Sequence, residues 1–357
     1  MKRTGRLLSL MLCLCLVLAG FGGFAQAAGA TELPQGSSFS IHFIDVGQAD
    51  AALVECDGHY MLIDGGNRED SNRIYSVLKK AAVTKLDIVV GTHAHEDHIG
   101  GLPGAFIYAD AELTLCPVDS YDSKAFKDFK KYADEKGGGI TIPSVGDCFS
   151  LGSAQVEILG LNAGEETNDS SIILKIVYGD TSFLFTGDAE REGEQAVLDS
   201  DAELEATLLK LGHHGSDTST GYHFLREVMP EYAVISVGED NSYGHPSEDC
   251  LSRLRDADVK LYRTDMQGDI FCTSDGKELS FTVSKNEDAD VFGGIGPNSS
   301  QKDAEDIQQD LQEKMVWVSK SGKKYHSQAS CSNMKDPAQI SESDAIARGL
   351  SPCKHCY

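Results

Sequence analysis

After the first 27 residues, no stretch approaches the roughly 20 consecutive apolar residues that a membrane-spanning helix needs, so nothing in the body of the chain reads as a channel. Basic charge is also scarce: 31 Lys and Arg stand against 56 Asp and Glu, a formal net charge of −25. That balance works against a surface that binds nucleic acid by counterion release, which normally carries a basic stripe. Evenly paired cysteines are missing too. Of ten, two lie in the first 27 residues, five in the body (Cys56, Cys116, Cys148, Cys250, Cys272) and three near the end (Cys331, Cys353, Cys356). Spacing alone assigns no disulfide, and Cys116, in the apolar run Leu113-Thr114-Leu115-Cys116, reads as a buried thiol.

What is present divides the chain into four parts. Residues 1–27 hold Lys2, Arg3 and Arg6, an apolar run over 7–17, and then Ala25-Gln26-Ala27, the small-x-small pattern of a Sec-type signal. The expectation is an exported, secreted protein. Losing that leader, with its three cations and no anion, takes the net charge from −25 to −28. Residues 38–285 form the main body, 286–312 an acidic and Gly-rich linker, and 313–357 a small Cys/His module. In the body, short apolar runs predict strands over 39–46, 51–56, 60–63, 155–159, 171–178 and 181–185, with Gly179-Asp180 as a hairpin turn. Ile74, Val77, Leu78 and Ala81 at helical spacing predict a helix over 68–82. Residues 119–136 predict another, stopped by Gly137-Gly138-Gly139. Low apolar content marks the linker, helical at most over 303–314.

The informative segment is Thr92-His93-Ala94-His95-Glu96-Asp97-His98-Ile99-Gly100-Gly101, directly after the apolar run Ile88-Val89-Val90. Three imidazoles and a carboxylate within six residues are the ligand types that borderline divalent cations prefer. A sharp loop leaving a strand end turns alternate side chains to one point. His93 and His95 share one side of the loop, while Asp97 and His98 sit where the next helix begins. The spacing therefore divides them between two ions.

This pattern resembles the His-x-His-x-Asp-His signature of the metallo-β-lactamase superfamily. Phe43-Ile44-Asp45-Val46-Gly47-Gln48-Ala49-Asp50, Met61-Leu62-Ile63-Asp64-Gly65-Gly66, Phe185-Thr186-Gly187-Asp188, Gly212-His213-His214-Gly215-Ser216 and Tyr243-Gly244-His245-Pro246 resemble its ComEC-type branch, over about residues 38–285. The resemblance implies an α/β fold, the four-layer αββα sandwich, carrying two divalent ions, zinc or manganese. Asp188 follows a buried strand and a glycine and is the expected bridge between the ions. His213 and His214 end an apolar strand, where successive side chains point oppositely. One is expected to join Asp97 and His98 on the second ion, with His213 favoured, while His214 faces substrate or a carboxylate. The chain departs from the commonest pattern in having no histidine between His98 and Asp188. The Thr167-Asn168-Asp169-Ser170-Ser171 segment occupies that place, and Asn168 or Asp169 is expected to coordinate the first ion or orient a water.

The remaining roles are read from chemistry, except the place of Asp50, which the resemblance implies. A hydroxide held between two cations attacks in line, with Asp97 or Asp188 accepting its proton and His245 donating one to the leaving group. Asp64 is expected to fix the tautomer of a ligand histidine, Asp50 to line the turn beside the site, and Lys210 and Ser216 to meet a phosphate oxygen. In the tail, His326, Cys331, Cys353 and Cys356 make a tetrahedral donor set for one structural zinc, with a disulfide between two tail cysteines as the alternative. The module resembles small zinc-ribbon-like appendages of secreted hydrolases.

The expected activity is a secreted phosphodiesterase or DNase acting on DNA or another phosphodiester. Its alternatives are a phosphorylcholine-esterase-like enzyme on cell-wall polymers, a lactone or β-lactam hydrolase, and a non-enzymatic protein that binds the wall or a partner through the tail.

Overall fold

A computed structural model describes residues 33–293 and, beyond them, 315–319, 322–328, 331, 337–341, 345, 348 and 350–353. The signal, most of the linker and Cys356 lie outside the described residues. The chain divides into two compact units, Met1–Val291 and Phe292–Tyr357.

The larger unit is built on two sheets. The first runs from the strands β1 (Phe39–Phe43), β2 (Ala52–Cys56) and β3 (His59–Ile63) through β4 (Lys85–Val90) to β5 (Asp110–Leu115) and β6 (Ile140–Thr141). The second contains β7 (Cys148–Leu151), β8 (Ala154–Gly160), β9 (Ile173–Tyr178), β10 (Thr181–Phe185), β11 (Leu208–Lys210), β12 (Tyr232–Ile235) and β13 (Lys260–Arg263). The last two strands, β14 (Ile270–Ser274) and β15 (Leu279–Val283), return to the first sheet. The orders are β15-β14-β1-β2-β3-β4-β5-β6 and β13-β12-β11-β10-β9-β8-β7.

Strict alternation in β1, with Phe39, Ile41 and Phe43 buried and Ser40 and His42 half-buried, sends one face of the first sheet inward. There it meets the second sheet: Phe39 stacks on Phe183 at 4.6 Å and Phe43 on Phe185 at 6.0 Å between ring centres. The outer face of the first sheet is covered by helices α1 (Ser71–Lys80), α2 (Glu96–Ile99), α3 (Leu102–Tyr108) and α4 (Lys124–Lys136), through Ile74, Leu78, Phe106, Phe126 and Phe129. Helices α5 (Arg191–Leu198), α6 (Tyr222–Val228) and α7 (Glu248–Asp256) bury Val197, Phe224, Leu225 and Leu254 from the other side. The result is the αββα sandwich. Helix α4 starts at Lys124, later than the polar pattern suggests, because the Ser123 hydroxyl accepts the Phe126 N–H and caps it there.

Strands β3 to β6 are parallel, as are β10 to β13. Their carboxyl ends therefore gather loops at one edge of the sandwich, where open α/β sheets hold their ligands. No helix among the described residues is long and apolar enough to cross a membrane.

The second unit contains a small sheet of β16 (Met315–Val318), β17 (Lys324–His326), β18 (Ala338–Ser341) and β19 (Ser351–Pro352), in the order β18-β16-β17-β19. Among the described residues, Val316, Val318, Tyr325 and Ala345 form its buried apolar cluster.

Candidate metal centre

Strand β4 ends against Gly91, and the chain then breaks into the 92–98 loop. Asp64, leaving β3 in the left-handed region at φ 58°, reaches across to this loop. It accepts the Thr92 N–H and the Thr92 hydroxyl, both at 2.8 Å, and lies 2.8 Å from His98 Nδ1. With Nδ1 held by a carboxylate, His98 presents Nε2 as its free donor atom, the arrangement that fixes a ligand histidine. His214 is fixed likewise: its Nδ1 lies 2.9 Å from the Ser236 carbonyl.

Asp188 sits in the middle. Gly187 takes φ 53°, and a side chain there would collide with Thr92 and Ser171 at 2.9 Å, so the turn after β10 requires glycine. The Asp188 N–H donates to Ser171 Oγ at 3.0 Å. Its Oδ1 lies 3.2 Å from His98 Nε2, and its Oδ2 lies 3.8 Å from His214 Nε2 and 3.9 Å from both His93 Nε2 and His213 Nε2. Asp97, His98, Asp188 and His214 form one group whose donor atoms all lie within 4.8 Å of one another. His93 Nε2 and His95 Nδ1 face each other at 3.0 Å.

These residues fit divalent cations. His98 Nε2 and Asp188 Oδ1 are buried, face each other at 3.2 Å and have no other polar partner in hydrogen-bonding geometry, so a cation held by both would satisfy them. The charges agree. Burial opposes ionisation of Asp188, but His98 and His214 hold its carboxyl well below the usual range. Burial likewise opposes the His98 cation, yet Asp188, Asp64 and Asp97 raise its pKa well above the ordinary value. His214, against its own burial, is pushed up to about 10 by Asp188, Asp50 and Asp97. The carboxylates demand positive charge at the points where the imidazoles converge.

The structure revises several expectations. His213 and His214 are not on a strand. They occupy a short turn after β11 with φ 48° and 53°, a conformation His adopts more readily than most residues, so strand alternation does not apply to them. It is His214, not His213, that joins Asp97 and His98. Lys210 does not face the cleft: it is buried, its Nζ donating to Asp50 Oδ2 at 2.7 Å and to the Leu211 carbonyl at 3.0 Å. Ser216 is also buried, its hydroxyl 2.9 Å from Thr218 Oγ1 and accepting the Thr218 N–H at 3.2 Å, so it shapes a turn instead of meeting phosphate. Asp169 is tied up as well, its Oδ1 accepting the N–H groups of Glu190 and Gly193 at the start of α5.

An open cleft of about 330 Å³ borders the group, with Asp97, Asp188, His95, His213, Asn168, Tyr243 and His245 in its wall. Asn241 clasps the 241–245 loop: its Oδ1 accepts the N–H groups of Tyr243 and His245, both at 3.1 Å. Burial and the neighbouring His213 and His214 lower the His245 pKa, and cations nearby would lower it further. That setting works against a charged proton donor. Sequence reasoning missed Glu190, whose Oε1 lies 3.0 Å from His213 Nδ1 and accepts from Asn168 Nδ2 at 3.1 Å. Its place two residues after Asp188 was the available signal.

In the tail, donor atoms of His326, Cys331 and Cys353 lie within 4.8 Å of one another. The Cys331 and Cys353 sulfurs are 3.9 Å apart, well beyond the ~2.05 Å of a disulfide.

An αββα sandwich with a His-x-His-x-Asp-His loop and a carboxylate between two imidazole groups defines a metal-dependent hydrolase fold. The family model described as Metallo-beta-lactamase superfamily matches residues 44–239, and the chain belongs to that superfamily. Within it the chain falls in the ComEC-type branch. It is 29% identical over 254 residues to ComE operon protein 3 of Bacillus subtilis (strain 168), covering 66% of this chain and 33% of that protein. To Competence protein ComA of Neisseria gonorrhoeae it is 30% identical over 263 residues, covering 71% and 34%. Zinc phosphodiesterase ELAC protein 1 of Homo sapiens shares 31% identity over 85 residues, 23% of each chain. The chain spans about a third of the length of the two competence proteins.

Proposed function

We propose that this protein is an exported two-metal phosphodiesterase that cleaves DNA. The observation that carries this reading is the placement of Asp188, one oxygen toward His98 and the other toward His93, His213 and His214. His93 and His95 would hold the first ion, Asp97, His98 and His214 the second, and Asp188 would serve both. When bound, the two ions lower the pKa of water and neutralise charge developing on a phosphoryl oxygen. The protein's own groups do the rest. Asp64 and the Ser236 carbonyl fix which nitrogen His98 and His214 present. Asp97, partly open to the cleft, accepts the proton of the attacking water, and the 241–245 loop walls the substrate side.

The names of the relatives, two competence proteins and a zinc phosphodiesterase, support a phosphodiester substrate and favour DNA. The net charge of −25 favours a second reading, cleavage of a cell-wall phosphodiester, because the surface offers long DNA little attraction. Hydrolysis of bis-p-nitrophenyl phosphate and of single-stranded DNA with Mn²⁺ or Zn²⁺, beside H95A and D97A, tests both. Cleavage of the two substrates, lost in both variants, is expected for the DNase. Cleavage of the small ester alone points to the wall polymer, and cleavage of neither overturns the phosphodiesterase.

The tail donors suit one structural zinc, with Cys356 as the fourth ligand by sequence. The candidate catalytic donors contain no sulfur, so Co²⁺ substitution separates the two sites. A thiolate-to-cobalt charge-transfer band is expected in the full chain and lost in C353S. A Cys331–Cys353 disulfide, unreactive to thiol reagents and without that band, is the contrary result.

A further inference from the structure

The stretch between His98 and Asp188 contains no histidine, which leaves the first ion one imidazole short of the usual set. We infer that His213 fills that position from the opposite side of the site, so that the adjacent residues His213 and His214 serve different ions. This rests on the two-ion reading above and names the ligand that reading lacks.

Three observations carry it. The first is backbone conformation. Both residues are left-handed, at φ/ψ 48°/46° and 53°/24°, and the chain between β11 and α6 wraps around Asp188 here, the His213 N–H donating to the Gly187 carbonyl at 3.2 Å. The second is distance. The Nε2 atoms of His213, His93 and His214 all lie 3.8–3.9 Å from the same Asp188 oxygen, so the other contacts divide them. His93 Nε2 also faces His95 Nδ1 at 3.0 Å, whereas His214 Nε2 lies closer, 3.3 Å, to Asp97 Oδ2, in the second group.

The third is orientation. Glu190 Oε1 lies 3.0 Å from His213 Nδ1, and Asn168 Nδ2 donates to that oxygen at 3.1 Å. A carboxylate on Nδ1 leaves Nε2 as the donor atom and raises its basicity, as the partners of ligand histidines do. Asn168 stands where the sequence pattern leaves the histidine out, and Asn168 and Glu190 thus act through His213. They are positioning residues.

The test counts ions in the full chain, with a single equivalent of Zn²⁺ added first to the metal-free protein to fill the thiolate donors of the tail, so that Mn²⁺ added afterwards reports the oxygen and imidazole donors. Calorimetry and Mn²⁺ electron paramagnetic resonance are the readouts. The parent is expected to take up two Mn²⁺ and show the spectrum of a spin-coupled pair. H213A should keep one tight ion, lose the coupled spectrum, and bind the other more than about 100-fold more weakly, above the range for losing an outer partner. E190Q should keep both ions but weaken one by about 10-fold, and H59A, at an exposed histidine on β3, should match the parent. Should H213A prove misfolded by circular dichroism, E190Q carries the test: unchanged affinity for both ions overturns the assignment. So does a folded H213A that binds two Mn²⁺ as the parent does. A parent that binds fewer than two ions overturns the two-ion reading itself, a result told apart by its appearance before any substitution.

Discussion

Asp188→Ala is expected to abolish metal-dependent hydrolysis, with kcat/KM falling by about 10³-fold or more, while the chain stays folded. A single preorganised electrostatic contact is commonly worth 10²–10³ in rate. This carboxylate contacts both imidazole groups at once, so its loss removes contacts that act as a unit and do not add separately. Metal content measured with the rate separates two explanations. Loss of bound ions together with activity supports a bridging role. Full ion content with full activity would remove Asp188 from the site.

Lys210→Met is expected to destabilise the fold by about 3–5 kcal/mol, the usual result of removing one partner of a buried ion pair. The Lys210 ammonium is 2.7 Å from Asp50 Oδ2, and both side chains are buried. Asp50 Oδ1 has no hydrogen-bond partner, so after the substitution the carboxylate loses its ammonium and keeps His214 at 3.4 Å, with donor atoms of His98 and of a second carboxylate, Asp64, within 4.8 Å. Burial alone would raise the Asp50 pKa, but Lys210 and His214 bring it well below the ordinary value. A depressed folded-state pKa means that this stabilisation is full above the unfolded-state pKa, about 3.9, and fades as the pH falls below it. Urea midpoints should therefore differ widely between parent and variant at pH 7 and converge in acid. A gap that stays constant with pH would show that the pair contributes through packing of the Lys210 stem instead. Since Asp50 also touches His214, the variant should bind the second ion less tightly.

These two residues also show what could be read from sequence. The 92–98 loop stood out because its candidate donors are contiguous and follow an apolar strand, and Asp64 and Asp188 because each follows an apolar run at a turn; the structure brings these groups together. The apolar run over 39–46 likewise read as a strand, and the structure forms it over Phe39–Phe43. The Lys210–Asp50 pair was not legible: its members are 160 residues apart, and a lysine ending an apolar strand looks the same whether it reaches phosphate or a buried carboxylate. The division between His213 and His214 depends on two left-handed residues that hydrophobic periodicity does not report. Glu190 acquires its place only once α5 is docked beside the His213 turn.

The measurement that tests the central claim most directly is metal reconstitution of the full chain. The protein is stripped with a chelator, Mn²⁺ or Zn²⁺ is restored in steps, and bis-p-nitrophenyl phosphate hydrolysis is followed against ions bound per chain. The account predicts a stripped protein that does not hydrolyse the ester, and a rate that reaches its full value only when both body sites are filled. Hydrolysis that survives stripping, or never appears with both sites filled, would contradict it.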